Sequence, residues 1–96
     1  MSDNASQAAR IAAMAQLDEA MVQVALVRVN AGGQAPREVV AVDMHLSFMQ
    51  PAPGPLVAMA QMVGGGKTMV FCEAQLRSAE GRVVAQAMGT YRAQAR

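Results

Sequence analysis

Residues 8–26, AARIAAMAQLDEAMVQVAL, decide the fold of this chain. The run contains neither glycine nor proline, and its apolar residues recur at helical spacing, which predicts one α-helix from Ala5 to about Leu26. Its β-branched C-terminal end favours a stop as early as Met21 or Val22. Three side chains offer N-cap oxygens before it, namely Asp3, Asn4 and Ser6. The spacing predicts one buried stripe, formed by Ile11, Met14, Asp18, Met21 and Ala25.

Four segments after the helix have the alternation of half-buried β-strands: 37–50, 56–63, 68–78 and 83–93. Glycine- and proline-rich turns separate them, among them the stiff turn at 51–55. In the first strand the predicted apolar face consists of Val40, Val42, Met44, Leu46 and Phe48. In the third it consists of Val70, Cys72, Ala74 and Leu76. Short connections predict an antiparallel meander. A single apolar helix before such a sheet predicts an α+β fold, with a curved antiparallel sheet wrapped around the helix.

The composition predicts one domain, residues 1–96, that associates with copies of itself. Hydrophobic residues make up 53% of the 96 residues and aromatic residues only 3%. A chain this short covers its apolar surface poorly alone, so we expect a homo-oligomer. The net charge of +1 and the lack of a basic run exclude a nucleic-acid footprint. One cysteine, no basic leader and no continuous apolar span predict a cytoplasmic protein without a membrane segment.

The second half of the chain carries a set of spaced residues typical of one enzyme family. The set comprises Val42-Asp43, Ser47-Phe48, Pro51, Leu56, Gly66-Lys67, Glu73, Gly81 and Val84-Ala85. Upstream, AAMAQLDEAM at 12–21 is similar to that family's central helix. The chain therefore resembles the PaaI-like acyl-CoA thioesterases of the hotdog-fold superfamily, N-terminally shortened, over about residues 9–92.

This resemblance implies a hotdog fold, a homodimer or dimer of dimers, and hydrolysis of an acyl-CoA thioester at the subunit interface. It implies no cofactor, because coenzyme A enters as part of the substrate. In the family an acidic residue of the central helix acts on the thioester or on the attacking water, and the matching position is Asp18. Glu19 lies about 100° further around the helix, so both carboxylates cannot face one pocket. Glu19 is therefore the fallback.

Two departures from the family pattern favour an alternative function. The family has a His-Gly-Gly element at the helix start, whose N–H groups polarise the thioester carbonyl. Ala9, Arg10 and Ile11 occupy those positions. The family's first strand is also missing from the sequence. The alternative is a non-catalytic hotdog-fold binding or interaction module.

The remaining candidates are weaker. The GGGK turn at 64–67, with Gly66 and Lys67, could hold a coenzyme A phosphate together with Arg92, since basic residues of this region lie near the coenzyme A tail in the resembling family. A plain glycine turn is the favoured interpretation. His45 shares a strand face with Asp43, but the two offer too few ligands for a metal. Cys72 is expected to be a buried, inert thiol.

Overall fold

The fold consists of one long helix followed by four antiparallel strands. The computed structural model describes residues 3–50 and 54–96, with side chains described from residue 7 onward. The predicted N-cap oxygens and most of the turn at 51–55 therefore lie outside the described residues. The elements are α1 (Asp3–Val29), β1 (Arg37–Phe48), β2 (Leu56–Gly65), β3 (Met69–Ser78) and β4 (Val83–Ala95). This confirms the predicted α+β hotdog architecture.

The strand order is β1-β4-β3-β2, so the predicted meander is correct only for β2, β3 and β4. β1 pairs with β4, and Met49 and Gln50 both donate their N–H groups to the carbonyl of Val84. The chain must then pass three strand spacings, roughly 14 Å, to reach β2. Residues 49–55 can span up to about 23 Å, which is enough for this crossing. A connection of this length therefore does not force β1 and β2 to be neighbours.

The helix packs on one face of the sheet through a stripe of residues four apart. This stripe consists of Ala13, Leu17, Met21, Ala25 and Val29. The predicted burial of Met21 and Ala25 is confirmed, but Ile11 and Met14 are exposed. Alanines surround the helix on all sides, so the sequence has little amphipathic contrast to mark the correct face. Outside this stripe the helix is largely open to solvent, and Val27 is 74% exposed.

The helix continues to Val29, three residues beyond the predicted end near Leu26, and the alternative stop at Met21 or Val22 is wrong. Its β-branched residues reduce helix propensity only slightly, and packing of the last turn on the sheet outweighs that loss. Asn30 caps the end: its Nδ2 donates to the carbonyls of Leu26 and Arg37, both at 3.0 Å, and its Oδ1 accepts from the Arg37 N–H at 2.7 Å. Gly32 then leaves the helix with φ of +100°.

A β-bulge in β1 divides its predicted apolar face. The register with β4 shifts between Ala41 and Asp43, which leaves Val42 unpaired and 52% exposed. An extra residue reverses the alternation of the strand, so Val39 packs on the core before the bulge and Met44 and Leu46 after it. Val40 and Val42 therefore do not join the core face. In β3, which is regular along its predicted face, all four expected apolar residues are buried.

The described part of the chain contains no helix with the length and hydropathy needed to cross a membrane.

Candidate active site

The carboxylate of Asp18 lies where α1 crosses β4, and a tyrosine holds it there. Asp18 follows Leu17 of the buried stripe, so its side chain leaves the helix at the margin of the helix–sheet contact and is half-buried. The hydroxyl of Tyr91, on the inner face of β4, donates a hydrogen bond to Asp18 Oδ1 at 2.7 Å. An acid and a phenol 73 positions apart are thereby brought together.

Tyr91 is fully buried, and its surroundings determine its chemistry. The ring lies on the same face of β4 as Gly89, and the backbone partners of Tyr91 are Ala41 and Val70. Burial, followed by the hydrogen bond to Asp18 and the charge of that carboxylate, raises the pKa of Tyr91 far above its usual range. The hydroxyl therefore stays protonated and acts as a donor at every physiological pH.

The second oxygen of Asp18 remains available. Among the described residues, Oδ2 has no hydrogen-bond donor, and it is not one of the polar atoms sealed from solvent without a partner. One oxygen is fixed by a buried donor while the other can contact a water or a ligand. Such a carboxylate is suited to accept a proton from water or to attack a carbonyl carbon directly.

Glu19 lies on the exposed side of the helix. Its Oε2 accepts a hydrogen bond at 2.8 Å from Gln23 Nε2, one helical turn further along. The structure thus separates the two acids, with Asp18 at the sheet and Glu19 in solvent.

The three positions that correspond to the His-Gly-Gly element lie inside the helix. The unpaired N–H groups of a helix are those of its first turn. Because α1 begins at Asp3, residues 9–11 lie beyond that turn. In a helix interior each N–H bonds the carbonyl four residues earlier. The N–H groups of Ala9, Arg10 and Ile11 are therefore not free to polarise a carbonyl.

An apolar groove of about 350 Å³ runs along the N-terminal part of α1. It lies between the helix and one end of the sheet, where all four strands contribute. It is lined by Ala9, Arg10, Ala13, Phe48, Met49, Gln50, Leu56, Leu76, Val84 and Ala85. Asp18 does not line the groove but follows Ala13 by about 7.5 Å along the helix axis. Gln50 Oε1 accepts a 2.6 Å hydrogen bond from Arg82 at its polar rim.

The weaker basic candidates lie at the other end of the sheet. Gly66 and Lys67 form the turn between β2 and β3. The Lys67 ammonium lies beside Gly32, at the C-terminal end of the helix, since a Cβ added to that glycine would lie 2.6 Å from Lys67 Nζ. A cation is favourable there because of the helix dipole. Arg92 is exposed and, by alternation with Tyr91, lies on the outer face of the sheet. The structure does not bring these residues to Asp18 or to the groove.

Neither His45 nor Cys72 forms a reactive cluster. His45 and Asp43 are exposed on the outer face of the sheet, near Thr90 and Met88. Cys72 is buried, and burial raises the pKa of its thiol, which disfavours the reactive thiolate. Over residues 3–50 and 54–96, no group of three or more His, Cys, Asp or Glu is arranged to hold a metal ion.

Tyr91 is the residue that sequence reasoning missed. Its signal is the alternation of β4, in which Ala85, Ala87, Gly89 and Tyr91 share the inner face. Three small residues there let the helix approach closely, and one large polar aromatic stands at the end of the series. A buried phenol requires a hydrogen-bond partner, and Asp18, next to the buried stripe of the central helix, was already a candidate.

Solved structures of similar fold come from several bacteria. The BH2602 protein from Bacillus halodurans, whose crystal structure contains CoA, is 27% identical with a TM-score of 0.67, over 80% of this chain and 52% of that one. Thioesterase HI1161 from Haemophilus influenzae is 19% identical with a TM-score of 0.56, over 59% of this chain and 41% of that one. A thioesterase-superfamily-related protein from Shewanella oneidensis is 18% identical with a TM-score of 0.53, over 82% of this chain and 42% of that one.

The chain thus spans about half the length of the BH2602 protein. The two structures below 25% identity support the fold alone. No curated protein is similar enough to match the chain. The family model of the thioesterase superfamily matches residues 12–85, which include the acid-bearing part of the helix and all of β1, β2 and β3. The chain therefore belongs to the thioesterase superfamily.

Proposed function

We propose that this protein hydrolyses an acyl-CoA thioester in the manner of the PaaI-like enzymes, with Asp18 as general base. The observation that carries the proposal is the Asp18 carboxylate itself, held at Oδ1 by Tyr91 and open at Oδ2. Membership of the thioesterase superfamily and the CoA in the BH2602 crystal structure support the substrate class. The apolar groove offers a place for the acyl chain, because burial of methylene groups there is favourable.

The chemical step needs one proton acceptor and one water. Asp18 Oδ2 takes a proton from water while the water oxygen forms a bond to the thioester carbonyl carbon. The tetrahedral intermediate then collapses and the C–S bond breaks. The sulfur takes the proton that Asp18 had accepted, so coenzyme A leaves as a thiol. A positioned carboxylate of this kind contributes roughly 10²–10⁴-fold to the rate.

We expect this hydrolysis to be slow. The N–H groups at residues 9–11 are engaged in the helix, and loss of one oxyanion donor lowers kcat by roughly 10²–10³-fold. The same observation favours the second candidate function, a non-catalytic binding module of the same fold. Such a module would hold an acyl-CoA in the groove without turnover.

A thiol-release assay on a panel of acyl-CoAs distinguishes the two functions. The unmodified chain is compared with Asp18→Asn, which keeps the size of the side chain, and with the matched control Glu19→Gln, which removes the neighbouring exposed charge. Turnover that falls at least about 100-fold in Asp18→Asn and persists in Glu19→Gln supports the enzyme. Ligand-dependent stabilisation of the folded chain without any thiol release supports the binding module.

We also propose that a second copy of this chain covers the outer face of the sheet. Five large apolar side chains lie there between 42% and 59% exposed: Val57, Met59, Val63, Phe71 and Met88. A monomer rarely leaves so many on one face, and methionine and phenylalanine are enriched at protein interfaces. This face supports a homodimer or a dimer of dimers.

A further inference from the structure

We propose that Tyr91 is the positioning residue of the active site, an inference that rests on the proposed function of Asp18. The phenol holds Asp18 Oδ1 at 2.7 Å and so fixes the plane of the carboxylate, with Oδ2 presented to water and substrate. Tyr91 does not touch the reacting atoms and acts through Asp18 alone.

The burial of Tyr91 explains why it can position another group. The ring is fully buried and faces the core of the sheet, where phenylalanine would pack as well and would bring no polar atom. A hydroxyl in such a place is unfavourable unless it is hydrogen-bonded, and within the described residues Asp18 is its partner. Packing holds the phenol in place. Its hydrogen bond therefore restricts the rotation of the half-buried Asp18 side chain.

The hydrogen bond also has a fixed direction, from the phenol to the carboxylate. Tyr91 itself remains protonated because burial and the Asp18 charge both raise its pKa. The pair is therefore a permanent donor facing a carboxylate, which separates the roles of the two residues.

The contact can be measured without any enzymatic activity. Tyr91 is the only tyrosine and the chain has no tryptophan, so the near-ultraviolet absorbance of phenolate reports on this residue alone. In an alkaline titration of the full chain, Tyr91 of the Asp18→Asn variant is expected to ionise at lower pH than Tyr91 of the unmodified chain, because the neighbouring negative charge is gone. An unchanged titration would show that the contact does not form and would overturn the inference.

The positioning role is tested by Tyr91→Phe in the thiol-release assay. We expect kcat to fall about tenfold to a hundredfold, with KM nearly unchanged, because orientation and not substrate binding is lost. Simple loosening of the fold would raise KM as well, so the split between kcat and KM separates a positioning role from a structural one. The matched control is Thr90→Val, which removes a hydroxyl from the neighbouring residue on the outer face, and thermal melting verifies that both variants are folded.

The outcomes separate this inference from the proposed function. If the unmodified chain turns over acyl-CoA and Tyr91→Phe has the same kcat and KM, the inference is wrong and the thioesterase stands. If the unmodified chain is folded and hydrolyses none of the substrates, the proposed function fails, and the catalytic role of Tyr91 fails with it. A lower kcat at nearly unchanged KM, absent from Thr90→Val, supports both.

Discussion

Gly89 of β4 lies close to Met21 of the central helix, and Gly89→Ala tests that close packing. A Cβ added at Gly89 would lie 3.1 Å from Met21 Cε, 3.2 Å from Met21 Sδ and 2.9 Å from Tyr91 Cε2. Separations this short require the neighbouring side chains to move. The backbone at Gly89 does not have positive φ, so alanine is acceptable to the strand itself. The substitution therefore changes packing and little else.

The expected loss of stability follows from two opposing effects. Overpacking a well-packed core is destabilising by about 1–3 kcal/mol. Replacing glycine by alanine within a strand returns roughly 0.5–1 kcal/mol, because the unfolded chain loses conformational freedom. The Met21 side chain can bend aside, whereas the Tyr91 ring is held by its hydrogen bond to Asp18. We expect a net loss of about 1–2 kcal/mol, which lowers the Tm of a domain of this size by roughly 5–15 °C.

Thermal melting monitored by circular dichroism, at equal protein concentration, measures the effect. Gly64→Ala is the matched control, because its added Cβ would make an ordinary contact at 3.6 Å from Phe71 Cδ2. We expect this control to melt at the temperature of the unmodified chain or slightly above it. A Gly89→Ala variant that melts as high as the control would refute the close packing of α1 on β4.

The remaining predictions concern other parts of the molecule. The free energy of unfolding should fall as pH rises above about 10, because the unfolded chain ionises its tyrosine while folding raises the pKa of Tyr91, and Tyr91→Phe should remove this dependence in urea titrations. In urea unfolding, Leu17→Ala should lower the free energy of unfolding by about 2–5 kcal/mol and Ile11→Ala by less than about 0.5 kcal/mol. Burial of Ile11, as predicted from the sequence, would give a larger loss for Ile11→Ala. Asn30→Ala should lose about 1 kcal/mol through its three capping hydrogen bonds, measured in the same way. Met88→Lys should lower the mass seen by sedimentation if a second copy covers the outer face.

The elements could be predicted from the sequence because each has a strong local signal. In β3, Val70, Cys72, Ala74 and Leu76 alternate without interruption, and all four are buried as expected. The absence of glycine and proline before Gly32 likewise identified the helix. In these places local pattern and tertiary packing agree.

The features that could not be predicted depend on contacts distant in sequence. The bulge at Val42 is set by pairing with β4, and no glycine or proline marks it within β1. The helix face was misplaced because Ile11 and Met14 are more hydrophobic than Ala13, although packing on the sheet selects the smaller residue. The connection at 49–55 is long enough for β1 to lie beside either β2 or β4, so the strand order could not be predicted from it.

The same limit applies to the candidate site. Resemblance to a family singled out Asp18 on the helix, and the structure places that carboxylate against the sheet. Tyr91 stayed outside the prediction because its partner is 73 positions away and alternation gives only its face, not the residue above it. A long-range polar pair of this kind can be identified only once the position of the helix along the sheet is known.

The length of the helix and the engagement of the N–H groups of residues 9–11 have one common cause. Glycine in a helix interior is about 1 kcal/mol less favourable than alanine, so a Gly-Gly pair would tend to end a helix and leave N–H groups free. Arg10 and Ile11 stand at those positions between alanines, and the helix continues back to Asp3. The residue types that extend the helix are therefore the same ones that engage its N–H groups. The proposed base, Asp18, is hydrogen-bonded to Tyr91, whereas the N–H groups of residues 9–11 are engaged in the helix. Substrate binding would therefore not distinguish a slow hydrolase from a binding module, whereas the rate of thiol release would.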